Sequence, residues 1–318
     1  MPEWLIERGI GETRAALVDS GEIIEARFQL EGSVPAGSVI AARVLSTGTS
    51  GRNAVAIAQG GAEYLIPNGA PGATQGSTIT VEVTREAIPG SEPWKRPLAK
   101  VSSAEGSLAD PLKGRELIFP APTDHFGDAG WNDLLDEGRS GVVRFAGGEL
   151  RIAATPAMTL IDVDGFLDAG KLSVIGAVEA ARAIRRLDIG GSIGIDLPTI
   201  PGKAARQSVA AAIDDNLAQP FERTAVNGFG FVQIVRPRRR ASLIELAQDR
   251  PSFEARALLR RTALELPGPK RLVASPAVIS VLAHHPQWLE SLSRQIGGAV
   301  ELRGDASIPM SGGYVEIL

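Results

Sequence analysis

Residues 157–166, AMTLIDVDGF, and 191–200, GSIGIDLPTI, decide how this chain is read. Each is a short apolar run that ends on a carboxylate, Asp162 or Asp196. Short apolar runs bounded by turn residues read as buried strands. Between them Leu172, Ile175, Val178, Ile184 and Leu187 follow helical spacing, and Gly190-Gly191 stop that helix. The segment is therefore expected to be α/β. A strand that ends in Asp places its carboxylate where open α/β sheets keep their ligand crevices. Two such strands side by side would bring both carboxylates within reach of one divalent cation. Magnesium takes hard oxygen ligands and commonly only one or two protein carboxylates. A cation held in that way can activate water and neutralise charge on a phosphodiester. Aspartate also favours turns and helix caps. The residues alone leave both readings open.

Outward from this segment the pattern extends both ways. Upstream, SGVVRFAGGELRIAATPAMTLIDVDG holds three strand-like runs. Downstream come SIGIDL, a helix with Val209, Ile213 and Leu217 four apart, and a further strand in TAVNGFGFVQIV. Five short strands spaced by glycine-rich turns precede all this: SVIAARVLS, NAVAIA, EYLIP, STITVEVTRE and PLAKVSS. They suit a small OB-type barrel. Ahead of them, WLIERG and RAALVDSGEIIEARFQ predict two or three strands with a turn near Ser20-Gly21. The expected organisation is N-terminal strands over 1–36, an OB-fold RNA-binding domain over 37–103, a Gly/Pro/Asp-rich connector over 104–130, a catalytic α/β domain over 131–250, and a small α+β subdomain over 251–318. That last part reads as KRLVAS, a helix through Trp288 and Ile296, then AVELRG and GGYVEIL.

Composition narrows the chemistry. With 33 Lys+Arg against 37 Asp+Glu the formal charge is −4, so any RNA site must be a local patch. Zero cysteines exclude disulfides, thiol catalysis and thiolate zinc sites. His125, His284 and His285 are too few for a histidine-rich metal centre. His284-His285 precede Pro286 and point in different directions on a helix, so they read as a helix break. MPEWLIERGIGETR shows no basic stretch followed by an apolar one, so no secretory signal is expected. The uncharged run from Leu272 to Leu289 contains two prolines and the His pair and reads as amphipathic, not as a membrane span. A soluble cytoplasmic protein is expected. GTSGRN lacks the Walker spacing, so no nucleotide loop is expected. Trp131 and Trp288 read as core anchors.

LIDVDG, then EAARAIRRLDIGGSIGIDL, then NGFGFVQIVRPRRRASL together resemble the catalytic domain of the ribonuclease E/G family. Upstream, WLIERG and RAALVDSGEI look like that family's first strands, and GSVIAARVLS with GAEYLIP is similar to its OB-fold insert. The likeness covers 131–245 well and 1–103 loosely. It implies a deoxyribonuclease-I-like catalytic domain and a magnesium-dependent endoribonuclease, manganese being a possible substitute. It further implies single-stranded RNA as substrate, with 5′-phosphate and 3′-hydroxyl ends as products. Asp162 and Asp196 match the paired metal ligands. Asp164 stands where the family has an asparagine that orients water or phosphate. Lys95 falls near an RNA-contacting lysine of the OB domain, and Arg223, Arg236, Arg238 and Arg239 fall in or near basic positions around the cleft.

The chain departs from the family in other ways. Val55 and Leu65 stand nearest the two base-stacking phenylalanines of the OB domain, leaving Tyr64 as the nearby aromatic. The 5′-end sensor segment is compressed into 104–130, and the cysteines of the zinc link are missing. A monomer or a homodimer joined through the C-terminal tail is then expected.

Two other readings compete. LIDVDGF also resembles the first motif of haloacid-dehalogenase-type phosphatases, which would make Asp162 a nucleophile and Asp164 an acid/base, with Thr199, Lys203 and Asp214-Asp215 in later motifs. The residue after Gly165 is Phe, not Thr, and LDIGGSIGIDL has no counterpart there. A non-catalytic RNA-binding homologue is the remaining alternative. The arginines of VRPRRRAS suit phosphate contacts, although such runs are often a solvated face.

Overall fold

The computed structural model describes residues 1–48, 52–90, 95–110 and 112–318. Part of the GTSGRN loop and Trp94 of the Lys95 segment lie outside them. In chain order the elements begin with β1 (Glu3–Arg8), β2 (Glu12–Asp19) and β3 (Glu22–Leu30). Ser20 and Gly21 both take positive φ, 52° and 85°, which gives the tight hairpin turn between β2 and β3.

Next come β4 (Val39–Ser46), β5 (Ala54–Ala58), β6 (Glu63–Ile66), β7 (Thr78–Arg85) and β8 (Leu98–Val101), which close into a five-stranded barrel in the order β4-β5-β6-β8-β7. Alternating residues turn inward, so Ala42, Ala54, Ala56, Tyr64, Ile66, Val81, Val83 and Ala99 fill it. The residues over 104–130 carry a short β9 (Arg115–Glu116), paired parallel with β1, and α1 (His125–Asp128). They are thus more ordered than their glycine and proline content suggests.

The α/β segment holds α2 (Trp131–Ser140), β10 (Val142–Phe145), β11 (Gly148–Ala154), β12 (Thr159–Gly165), α3 (Ala169–Arg186), β13 (Gly191–Asp196), α4 (Lys203–Asn216), β14 (Glu222–Arg223) and β15 (Phe231–Arg236). Its six-stranded sheet runs β10-β11-β12-β13-β15-β14. β12 and β13 are parallel, joined by α3, while the other pairings are antiparallel. Ile152, Ile161, Val163, Ile193, Ile195, Val232 and Ile234 turn to one face and are buried there. Each such side chain contributes roughly 1.5–3 kcal/mol by leaving water. α3 covers that face with small residues, Gly176, Ala177, Ala180 and Ala181. A Cβ on Gly176 would run into Val163 Cγ1, so the helix lies as close as glycine permits.

The chain ends with α5 (Leu243–Leu246), α6 (Arg250–Ala263), β16 (Lys270–Ala274), α7 (Pro276–Ala283), α8 (Pro286–Ile296), β17 (Val300–Gly304) and β18 (Tyr314–Ile317). The last sheet has order β17-β16-β18. His284 and His285 sit at the break between α7 and α8, with their Nδ1 atoms on the carbonyls of Ser280 and Val281. Trp131 and Trp288 are buried.

The described residues form two compact units. One comprises 1–31, 113–133 and 246–318; the other comprises 32–112 and 134–245 and so holds both barrel and six-stranded sheet. In the first, Arg14, Arg256 and Arg260 are buried against Glu7, Glu12 and Asp124. Three cations face three anions there, with donor–acceptor distances of 2.6–3.2 Å for Arg260 with Asp124 and Glu7. No helix of the described residues is long and apolar enough to cross a membrane.

Candidate active site

Strand alternation decides what the six-stranded sheet shows on its other face. In β12 the apolar Ile161 and Val163 point to the helices, so Leu160, Asp162 and Asp164 point away from them and are exposed. In β13 the same logic buries Ile193 and Ile195 and exposes Asp196. Asp162 lies directly opposite Asp196 in the parallel register, with neighbouring strands roughly 4.8 Å apart. The two carboxylates stand side by side on an open sheet face, and Asp164 follows on the same face.

This crowding has an electrostatic signature. The Asp162 carboxyl is pushed above the ordinary aspartate range, first by burial, then by the negative charges of Asp164 and Asp196. Arg151 opposes the shift, and a hydrogen bond with Asp164 adds to it. Negative charges that raise the proton affinity of Asp162 favour any arriving cation there. Among the described residues no group of three or more His, Cys, Asp or Glu side chains is arranged to hold a metal ion. A cation here would rest on the carboxylate pair and complete its shell with water or a ligand, as magnesium commonly does.

Arg151, which did not stand out in the sequence, is brought beside the carboxylates. It lies opposite Asp162 on β11, its side chain is 64% exposed, and its guanidinium reaches Glu149 at 2.7 Å. Arg144 of β10 is exposed and lies opposite Glu149. The signal was the alternation of Glu149 and Arg151 with Leu150 and Ile152. It became useful only once β11 was known to pair with β12.

The other basic residues are not brought to the carboxylates. Arg223 lies opposite Ile234 in register and so points to the helix-covered face. There it grips Asp214 of α4, with Nε 2.7 Å from Oδ1, in a cleft of about 490 Å³ that also has Lys203 and Arg206 in its lining. That hydrogen bond holds Asp214 below the ordinary aspartate range. Lys203 and Asp214 line this cleft with Arg223, whereas Asp162 faces the other side of the sheet.

Arg236 pairs with Gly191, five residues along the strands from the Asp196–Phe231 pair, or roughly 17 Å away. Its Nη1 donates to the carbonyl of Ile189. Arg238 binds Glu245, while Arg240 reaches Asp188 at 3.4 Å and Glu86 at 4.0 Å. Glu86 is raised by burial, with Arg240 opposing. The run VRPRRRAS thus ties the end of β7 to the end of β15. Arg239 keeps an exposed side chain, and its carbonyl accepts from the Glu86 amide.

On the barrel, Lys95 lines a cleft of about 610 Å³ with Arg96, Glu63 and Tyr64. Tyr64 is only 2% exposed and offers no face for stacking. Val55 and Leu65 are half-buried.

No protein-family model matches the chain, and no curated protein matches it.

Proposed function

We propose that this chain is a magnesium-dependent endoribonuclease that cleaves single-stranded RNA to 5′-phosphate and 3′-hydroxyl ends, in RNA processing or decay. The observation that carries the proposal is register. Asp162 and Asp196 oppose each other on parallel neighbours, on a sheet face that no helix covers. An open face suits a polymer better than a small molecule, which favours an enclosed pocket. The closed five-stranded order supports an OB-type reading of the barrel, and the six-stranded layer a deoxyribonuclease-I-like one. Together with the quoted motifs they support a compact relative of ribonuclease E/G without the 5′ sensor and the zinc link.

Asp162 and Asp196 would hold magnesium, or manganese in its place; the crowded negative charge at Asp162, which Arg151 only partly offsets, fits a hard divalent cation. When bound, the ion supplies Lewis acidity and lowers the pKa of water. Asp164, two residues beyond Asp162 on the same exposed face, would orient water or a phosphate oxygen. Arg151 sets a guanidinium beside the carboxylates, where it can bind phosphate oxygens bidentately.

The test is cleavage of a 5′-labelled single-stranded RNA with magnesium or manganese. The wild-type chain should yield product, and Asp196→Ala should reduce the rate by at least about a hundredfold. Product formed equally by both chains sinks the assignment. Binding in both without product leaves the non-catalytic RNA-binding homologue as the reading.

A further inference from the structure

We propose that Phe166 and Phe229 are nucleobase-stacking platforms on either side of the carboxylate cluster, gripping single-stranded RNA where it passes over Asp162 and Asp196. The ligand class rests on the ribonuclease reading; the location rests on the loops themselves.

The chain has nine phenylalanines. Phe166 and Phe229 are 86% and 81% exposed, and the other seven are buried or half-buried. A lone exposed apolar residue means little, but two aromatics at one edge of one site are informative. Phe166 directly follows β12, four residues beyond Asp162, and its amide donates to the Gly147 carbonyl at 3.1 Å. Gly165 before it is pressed so close to Gly147 that a Cβ would meet the Gly147 carbonyl oxygen. Phe229 lies two residues before Phe231, the β15 partner of Asp196. Phe166 continues the strand that carries Asp162, and Phe229 precedes the strand that pairs with Asp196, so the two flank the end of the β12–β13 pair just beyond the carboxylates.

Neither side chain is bare because its loop is loose. Asn227 Oδ1 accepts from the amides of Phe229 and Phe231, at 2.9 and 3.0 Å. The Asn227 amide returns a bond to the Phe231 carbonyl at 3.0 Å, and Thr199 Oγ1 donates to the Phe229 carbonyl at 3.3 Å. Gly230 holds φ at +93° with Leu197 against it, a conformation that other residues rarely adopt. The backbone fixes Phe229 in place and leaves its ring in water. A fixed, solvent-facing aromatic is what a stacking site requires, because little ordering remains to be done on binding.

Charge selects the occupant. Carboxylates repel a phosphate chain until a cation arrives, so part of the grip must come from uncharged groups. Flat bases supply it by stacking, and each stacked base contributes roughly tenfold in affinity. The exposed Arg144 and Arg151 on the same face suit the adjoining phosphates. The stacking that Tyr64, Val55 and Leu65 do not offer would thus be supplied at the cleavage site instead.

The test uses the full chain carrying Asp162→Asn and Asp196→Asn, which removes cleavage from the measurement. A labelled oligoadenylate decamer and an abasic decamer of the same backbone are titrated by anisotropy. Phe166→Ala and Phe229→Ala should each weaken oligoadenylate binding about tenfold and leave the abasic chain unaffected. Phe166→Trp and Phe229→Trp, which keep an aromatic face, should retain binding and show emission quenched by oligoadenylate but not by the abasic chain. The proposal is overturned by oligoadenylate affinities within about twofold of the parent, by equal losses for both oligomers, or by a parent that binds no oligoadenylate. An apolar protein partner on these rings would give the first of those results. Stacking that holds while the wild-type chain yields no product would sink the nuclease reading alone. Cleavage with unaffected binding would sink stacking alone.

Discussion

At the residue scale, three carboxylates share one patch of sheet and do not share one environment. Asp162 sits between Asp164 and Asp196, and its proton affinity is raised by burial and by both neighbours. A carboxyl whose folded pKa exceeds its unfolded one stabilises the fold at low pH, and that contribution is lost as pH rises through the folded value. Near neutral pH and without divalent cations, Asp162→Asn should therefore raise the melting temperature. The gain should shrink as the pH falls to the ordinary aspartate range, where both chains carry a neutral group. Melting curves across that range check it, and a gain that grows toward acid pH would contradict the electrostatic account. Asp164 supplies a second residue-scale expectation. An amide can donate to Asp162 without sharing its proton, so Asp164→Asn should keep metal-dependent RNA cleavage within about tenfold. Loss of cleavage in a chain whose melting curve is unchanged would show that the carboxylate itself is needed.

At the element scale, the site depends on how closely α3 lies on β12. Gly176 faces Val163, the buried neighbour of both Asp162 and Asp164, with no space for a methyl group. Helix propensity alone would reward Gly176→Ala with up to about 1 kcal/mol. The overlap with Val163 should outweigh it and destabilise the chain by about 1–3 kcal/mol, as read from urea denaturation. Cleavage should fall as well, because a shift of β12 against β13 moves one carboxylate relative to the other. A stabilised, fully active variant would mean that the helix has room to move. α3, α4 and the strands around them could be read from apolar spacing, since Leu172, Ile184, Leu187, Val209 and Ile213 point inward, although Ile175 of the same pattern is exposed. α6 could not. Its buried face includes Glu254, Arg256, Arg260 and Thr262, so buried charge erased the periodicity by which amphipathic helices are recognised.

At the scale of the whole molecule, one unit is assembled from three separate stretches of chain. Glu7, Glu12 and Arg14 come from the first, Asp124 from the second, and Arg256 and Arg260 from the third. Removing one partner of a buried charge network leaves the others unpaired, which costs about 3–5 kcal/mol. Arg260→Ala, which strips cations from both Glu7 and Asp124, should lower stability by that amount in urea titration. A loss below about 1 kcal/mol would show that water reaches the network. Asp124 is held below the ordinary range because hydrogen bonds from Arg260 and the Gly127 amide outweigh its burial. Its contribution is present at neutral pH and lost on acidification through the folded value.

Local pattern was enough for the strands of the barrel and the α/β segment, and for the two aspartates as their most telling residues. Those features repeat within a few positions, at spacings set by the backbone, and need no knowledge of what lies across the fold. Pairing needs exactly that knowledge. Only the folded chain placed Asp196 opposite Asp162, turned Arg223 to the far face, carried Arg236 to the other end of the sheet, and engaged Arg238 and Arg240 with Glu245, Asp188 and Glu86. Register and facing arise from contacts between residues distant in sequence. A shift of one position would have turned either carboxylate into the core.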